Sequence, residues 1–189
     1  MTRVGLTADR LTSAGAELAD EVGFEHVTLT ALARRFGVKS ASLYSHVQST
    51  DDLKTRIALL ALDELATQAS EALAGRAGGD ALIALGSTYR TYAREHPGRF
   101  AAANHRVDPQ TAVTSAGPQH SQMMHAILRG YGVPDEDFTH AVRLLGSVFQ
   151  GYVTLELAGS FDHSAPGPDE SWTRILDVLD ALLRHWPTP

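Results

Sequence analysis

Seven side chains between residues 28 and 46 could do chemistry at a surface: Thr28, Thr30, Lys39, Ser40, Ser42, Tyr44 and His46. They are hydroxyls, one amine and one imidazole, gathered around a Gly37-Val38 step, with the small Ala41 in their midst. Donors of this kind reach phosphate oxygens and base edges, and a small residue lets a helix lie close to a groove. Bond-making chemistry has no comparable support. The chain has no cysteine, so thiolate nucleophiles, thiolate metal sites and disulfides are excluded. No nucleophile–base spacing, Gly-rich phosphate loop or metal-ligand spacing is present, and among the nine histidines His120 and His125 are five apart, off a common helical face. The expectation is no catalytic residue, no metal and no cofactor.

Donors need a scaffold, and the hydrophobic periodicity supplies helices throughout, with no convincing strand alternation. The first helix starts at Thr7, carries Leu11, Ala14, Leu18 and Val22 on one face, and stops at Gly23. Thr28 is placed to cap a second helix with Leu29, Leu32, Ala33 and Phe36 inward, and its start offers N–H groups to a phosphate. A third helix is expected over 39–46, held by Ala33, Val38 and Leu43 at its back. Ser49 caps a long helix to about Leu73, with Asp51 and Asp52 in its first turn.

Beyond the Gly75–Gly79 break, Asp80 is expected to cap a further helix. A short helix follows at 99–106, then a polar loop at 107–117. A Met123–Tyr131 helix, a long apolar helix from Asp135 to about Ser160 and an amphipathic one from Asp169 to Trp186 complete the chain. The fold class is all-α, about nine helices: an N-terminal three-helix, helix-turn-helix domain at 1–48, a linker helix at 49–75, and a further helical domain at 76–189.

The net charge of −6 is unevenly spread. Residues 1–56 hold seven basic and seven acidic side chains, whereas 57–189 hold nine and fifteen. Arg34, Arg35, Lys39, Lys54 and Arg56 against Asp51 and Asp52 leave +3 over 34–56, so a phosphate backbone is drawn to that region. No apolar run approaches a membrane span and the N-terminus lacks a signal-peptide pattern, which points to a cytoplasmic protein with no membrane partner.

Gly37-Val38, Ser42-Leu43-Tyr44, His46-Val47, Ser49 and Leu53, preceded by Gly23-Phe24, Val27-Thr28 and Leu32-Ala33, resemble the N-terminal signature of the TetR family of transcriptional regulators. The resemblance implies contact with double-stranded operator DNA by Thr28, Thr30, Lys39, Ser40, Ala41, Ser42, Tyr44 and His46. The family often places a phosphate-gripping lysine at the start of the fourth helix. Thr50 stands there in this chain, with Lys54 nearby as the candidate for that role. More loosely, Tyr89–Ala93, His96-Pro97-Gly98 and the segment Leu144–Phe161 resemble a regulatory domain attached to some TetR-family members. That implies an all-helical effector domain whose last two helices pair with those of a second chain.

The apolar residues leave two readings open. Tyr89, Tyr92, Phe100, Met123, Met124, Ile127, Phe149 and Tyr152, with His105 or His125 as polar fixture, could line a pocket for a small-molecule effector, or be plain core. Phe138, Leu145, Val148 and Leu155 on one helix, with Trp172, Ile175, Leu179 and Leu182 on the last, could form a homodimer interface. Alternatively the long apolar helix is wholly buried in its own chain. The functional expectation is a dimeric repressor of a pseudo-palindromic operator, relieved by a small molecule. An all-α enzyme and a helical protein-interaction adaptor are the competing classes.

Overall fold

The computed structural model describes residues 5–187. Among them are nine α-helices and no strand: α1 Ala8–Val22, α2 Leu29–Phe36, α3 Thr50–Leu73, α4 Gly78–Glu95, α5 Pro97–Ala102, α6 Pro109–Thr114, α7 Gly117–Tyr131, α8 Phe138–Leu157 and α9 Pro168–Arg184. They form two compact units, residues 1–64 with 95–116, and 65–94 with 117–189. Helix α3 is shared, its first fifteen residues counted with one unit and its last turns with the other.

The first unit is closed by local signals that the residues spell out. The Thr7 hydroxyl accepts from the Arg10 amide, Thr28 from Ala31 at 3.1 Å, and Ser49 from Asp52 at 3.0 Å. Each satisfies an N–H that the helix itself leaves without a partner, worth about 1 kcal/mol. Gly23 ends α1 at φ 90°, and Gly37 ends α2 in the left-handed region at φ 65°. Around Gly37 the Gly37 amide donates to Arg34 and the Val38 amide to Ala33, the paired bonds of a Schellman ending. Leu11, Leu18, Phe24, Val27, Leu32, Leu43, Val47, Leu53 and Ile57 make the core.

Residues 97–114, placed by the sequence with the third segment, pack instead with the first unit. Pro97 opens α5, and Gly98 brings its backbone onto α1: a Cβ there would stand 2.0 Å from the carbonyl carbon and oxygen of Ala19. Asp20 of α1 accepts the Arg99 amide at 2.9 Å, capping α5 from across the contact. Its carboxylate also pairs with the Arg99 guanidinium at 3.0 Å, and Arg99 reaches Glu64 at 3.2 Å. The stretch 107–117 is likewise not all loop. Asp108 accepts from the Gln110 and Thr111 amides at 3.0 Å and Pro109 occupies the first helical position, which together start α6.

In the second unit Leu82, Leu85, Leu128, Leu145, Phe149, Trp172, Leu176 and Leu183 form the core between α4, α7, α8 and α9. Helix α4 begins at Gly78, so Asp80 lies inside its first turn rather than at the cap. Gly79 leaves room for Asp180, whose Oδ1 would be 2.7 Å from a Cβ at that position. Asp180 accepts from the Tyr131 hydroxyl at 2.6 Å and from Arg184 at 2.8 Å, bonds that hold its carboxyl below the usual carboxylate range. Helix α8 starts at Phe138, after a 3-10 turn at Asp135–Asp137, and Gly159 at φ 73° ends it. Gly159 is therefore a helix terminator.

Three substitutions test this packing. Gly98→Ala should cost about 3 kcal/mol or more in urea unfolding, at the upper end of overpacking because the obstacle is backbone. Gly146→Ala, whose Cβ meets nothing within 4 Å inside helix α8, should be neutral or slightly stabilising. Asp180→Asn should lower stability by a constant amount from neutral pH down to about pH 5. Because the native carboxyl titrates below its unfolded value, that difference should shrink as pH falls below about 4, when the unfolded and then the folded carboxylate take up protons. A gap that persisted at low pH would contradict the assignment.

Candidate nucleic-acid interface and effector region

The reading segment differs from the expected α-helix over 39–46. After an extended Lys39, residues Ser40–Ser42 form one 3-10 turn, and the chain continues in tight turns to His46. The bonds run Ser42 to Lys39, Leu43 to Ser40 and His46 to Leu43, with a single four-residue step from Val47 to Leu43. The Ser45 hydroxyl donates back to the Ser42 carbonyl at 3.0 Å, the kind of local bond by which serine competes with regular helix. Leu43, fully buried, pins the segment to α2 and the core.

Around that anchor Lys39, Ala41, Ser42, Tyr44 and Ser45 are exposed, while Ser40 and His46 are half-buried. Tyr44 is 59% exposed, far more than an aromatic with a place in the core would be. Thr28 and Thr30 are exposed at the start of α2. Thr28 spends its acceptor lone pair on the cap and keeps its O–H to donate. These side chains share one unit and the access that contact requires.

The cations are less free than their count implied. Arg35 is held by Glu17 at 2.8 Å and Glu21 at 2.7 Å, and Arg56 by Asp52 at 2.9 Å. Lys54, proposed from sequence as the phosphate grip, turns the other way. Its ammonium pairs with Glu25 at 3.1 Å and lies 5.0 Å from the centre of the Phe24 ring, with the side chain only 15% exposed. The sequence window counted Asp51 and Asp52 but not Glu17, Glu21 and Glu25, which fold back from outside it. Arg34 and Lys39 are the cations of the segment with no ion pair among the described residues. Arg34 is an exposed candidate that the expected contact set omitted. Thr50 is half-buried in the first turn of α3.

In the second unit Phe149 sits at the centre of an aromatic cluster, with Trp172 at 5.7 Å and Tyr89 at 6.2 Å between ring centres, and Tyr152 lies 5.0 Å from Trp172. The Tyr89 hydroxyl is 2.6 Å from His120 Nδ1. Burial raises the Tyr89 pKa well above that of an ordinary phenol, so Tyr89 stays protonated, and the tautomer of His120 sets which of the two donates. His120, weighed in the sequence only as a metal ligand, is thus the polar group of the cluster. His105 is not: it lies in the first unit, edge-on to Phe24 at 5.5 Å and 3.7 Å from Asp51. Phe100 is also in the first unit, buried. His125 stacks at 5.1 Å on Phe138. Met124, Ile127, Phe149 and the fully enclosed Tyr92 are buried side chains, with Met123 partly so.

Arg90 clamps this region. It is 7% exposed, donates to Glu156 at 2.8 Å and to Asp169 at 2.7 Å, and lies over the Tyr152 and Trp172 rings. The two carboxylates hold its pKa above the ordinary arginine value despite burial. Tyr152 donates its hydroxyl to the Pro168 carbonyl at 2.6 Å, so α4, α8 and the start of α9 are tied at one point.

Two family models match the chain: residues 11–56 fit the tetR family of bacterial regulatory proteins, and residues 82–179 the tetracyclin repressor-like C-terminal domain. The chain belongs to the TetR family. It is 31% identical to an HTH-type transcriptional regulator of Mycobacterium tuberculosis, over 83% of this chain and 73% of that protein. It is 30% identical to one of Bacillus subtilis, over 96% and 95%. In fold it resembles a TetR variant of Acinetobacter baumannii crystallised with minocycline, with a TM-score of 0.73 at 22% identity over 98% of this chain and 100% of that one. This TetR-family chain is a transcriptional regulator and not an enzyme. No helix among its described residues is long and apolar enough to cross a membrane.

For a TetR-family chain the outer faces of α8 and α9 matter, and here the structure corrects half of the expected interface set. Phe138, Leu145, Trp172 and Leu179 are buried in the second unit's own core and have nothing left to offer a partner. Beside that core face runs a second stripe. On α8 it holds Leu144, Val148, Gly151 and Leu155; on α9 it holds Ile175, Val178 and Leu182. Leu155 is 49% exposed and Val178, absent from the expected set, 53%. A Cβ on Gly151 would meet nothing within 4 Å of its own chain, so the stripe is bare there.

Proposed function

We propose that the chain is a homodimeric repressor that reads a pseudo-palindromic DNA operator with residues 39–46 and is released by a small molecule bound in its second unit. The observation that carries this is the reading segment itself: Lys39, Ala41, Ser42 and Tyr44 stand exposed on a turn whose only deep anchor is Leu43. Lys39 and Arg34 supply phosphate contacts; the hydroxyls of Thr28, Thr30, Ser40, Ser42 and Tyr44 donate to phosphates or base edges. His46 and Thr50 flank them. Such a target places the protein in the cytoplasm, in keeping with its lack of cysteine.

The second unit supports the remaining parts of the reading. Exposed Leu155 and Val178, with Val148, Ile175 and Leu182 beside them, make an apolar face on α8 and α9 suited to a second copy of itself. Two copies about a two-fold axis would present their reading segments to half-sites about 34–36 Å apart. The effector region is the aromatic cluster of Tyr89, Phe149 and Tyr152 with Tyr92, Met123, Met124 and Ile127, His120 serving as polar partner. The Acinetobacter TetR variant was crystallised with minocycline, and a small molecule is proposed here by that likeness. The molecule would act by favouring one of two states, through unequal affinity for them.

Fluorescence anisotropy with duplex DNA from upstream of the chain's own gene tests the reading. Binding should fall with salt, and Lys39→Ala with Tyr44→Ala should weaken it at least about tenfold while lowering the salt slope by about two, one for the Lys39 of each copy. Lys54→Gln, which removes a cation already paired with Glu25, should leave that slope unchanged. Unaltered binding by the double variant would sink the contact assignment. Light scattering should report twice the chain mass, and Leu155→Glu with Val178→Glu should halve it while leaving the far-UV helix signal intact.

A further inference from the structure

Where α3 ends and α4 begins, the second unit carries a half-open recess of about 300 Å³. Its walls are Leu73, Ala77, Ala81, Met123, Ala126 and Ile127, aliphatic or thioether throughout and without an aromatic ring. The polar side chains on it are Ser70 and Arg76. One terminal nitrogen of Arg76 donates to the Ala72 carbonyl, which folds the guanidinium back over the end of α3. No carboxylate pairs with it among the described residues. Gly78, at the start of α4, lies on its rim, and Gly130 of α7 comes within 3.8 Å of the Gly78 nitrogen, measured from where its Cβ would be.

The geometry points to a binding site for a small aliphatic carboxylate, its head on the Arg76 guanidinium and its tail along Leu73, Ala81, Met123 and Ile127. Size, charge and surface each narrow the class. At about 30 Å³ for a water-sized group in a liquid, the recess holds about ten heavy atoms. An arginine with unused donors selects a planar anion, which it can hold with two parallel bonds. Aliphatic walls with no ring to stack on favour a flexible chain over an aromatic one. The start of α4 adds its positive end to the same place. This site is separate from the Tyr89–His120 pair, although Met123 and Ile127 also belong to the proposed effector region. It rests on the effector reading only for its consequence on DNA, not for binding itself.

Titration calorimetry of the full chain with sodium octanoate, and with 1-octanol as the uncharged match, tests it. Octanoate should bind, and 1-octanol more weakly. Arg76→Gln should weaken octanoate by about tenfold, the worth of a charge-assisted bond, and leave 1-octanol unchanged. Arg76→Lys should recover part of the loss. Ala126→Leu, on an exposed helical position where leucine is well tolerated, should abolish binding of both by filling the recess. Equal affinity for the acid and the alcohol, octanoate binding undiminished in Arg76→Gln or Ala126→Leu, or no heat at millimolar octanoate would each overturn the site. Octanoate that binds as expected without releasing DNA supports the site and counts only against its having a consequence on DNA.

Discussion

The reading segment depends on the burial of one side chain. Residues 39–46 make a string of three-residue turns and only one four-residue hydrogen bond, too little to hold a shape in water. Leu43 at 0% exposure supplies what the backbone does not, about 2 kcal/mol of apolar burial against the α2 side of the core. Val47 is also buried, one turn further on, and around these two fixed points Lys39, Ala41, Ser42, Tyr44 and Ser45 face outward. The surrounding structure serves that anchor. The Schellman ending at Gly37 sets the angle at which the chain leaves α2, and the Ser49 cap sets the angle at which it enters α3.

Charge is arranged by subtraction. Arg35, Lys54 and Arg56 are tied to carboxylates of the first unit, so the favourable field for DNA is concentrated on Arg34 and Lys39. Of these, the more exposed pairs of Arg35 and Arg56 add little to stability, roughly 0–1 kcal/mol each. Their effect on recognition is larger than their effect on folding. A DNA reader with few free cations has a modest non-specific attraction to phosphate, and on the proposed reading more of the discrimination falls to the hydroxyls and Tyr44. The acidic remainder of the chain works in the same direction, by repelling duplex DNA that approaches any other face.

The sequence made legible what is written locally. The caps at Thr7, Thr28 and Ser49, the stops at Gly23 and Gly37, and the apolar stripe of α9 all depend on neighbours within one or two turns. Asp108-Pro109 was an equally local signal, a cap followed by proline at the first helical position, and was overridden by the polar composition around it. What was not legible is long-range. Nothing near Gly98 announces that it must lie on Ala19, and nothing near Lys54 announces Glu25. The same limit divided the expected pocket, since Phe100 and His105 belong to one unit and Tyr89 and Phe149 to the other. It also blurred the expected interface. On α8 and α9 the core face and the outer stripe are adjacent and equally apolar, so periodicity alone cannot separate Leu145 from Val148 or Leu179 from Val178.

The aromatic cluster of the second unit sets a condition on any effector. Phe149 is 1% exposed and Tyr89 is committed to His120, so a molecule entering there must displace side-chain contacts and offer its own acceptor or donor in exchange. A tightly packed region of this kind has discrete alternatives rather than continuous ones. Arg90 raises the threshold further. It ties α4 to Glu156 and Asp169 over two rings, and loosening α8 alone would strand a buried charge. A ligand that is to move α8 or α9 must therefore move them with Arg90, as a group. On the proposed effector reading, the two states are one in which the clamp holds and the aromatic cluster is closed, and one in which the whole set has shifted. A ligand that binds both arrangements equally well changes nothing, however tightly it binds. On that reading, specificity for an effector lies in which arrangement its polar group satisfies, and the Tyr89–His120 bond is the polar contact it must match or replace.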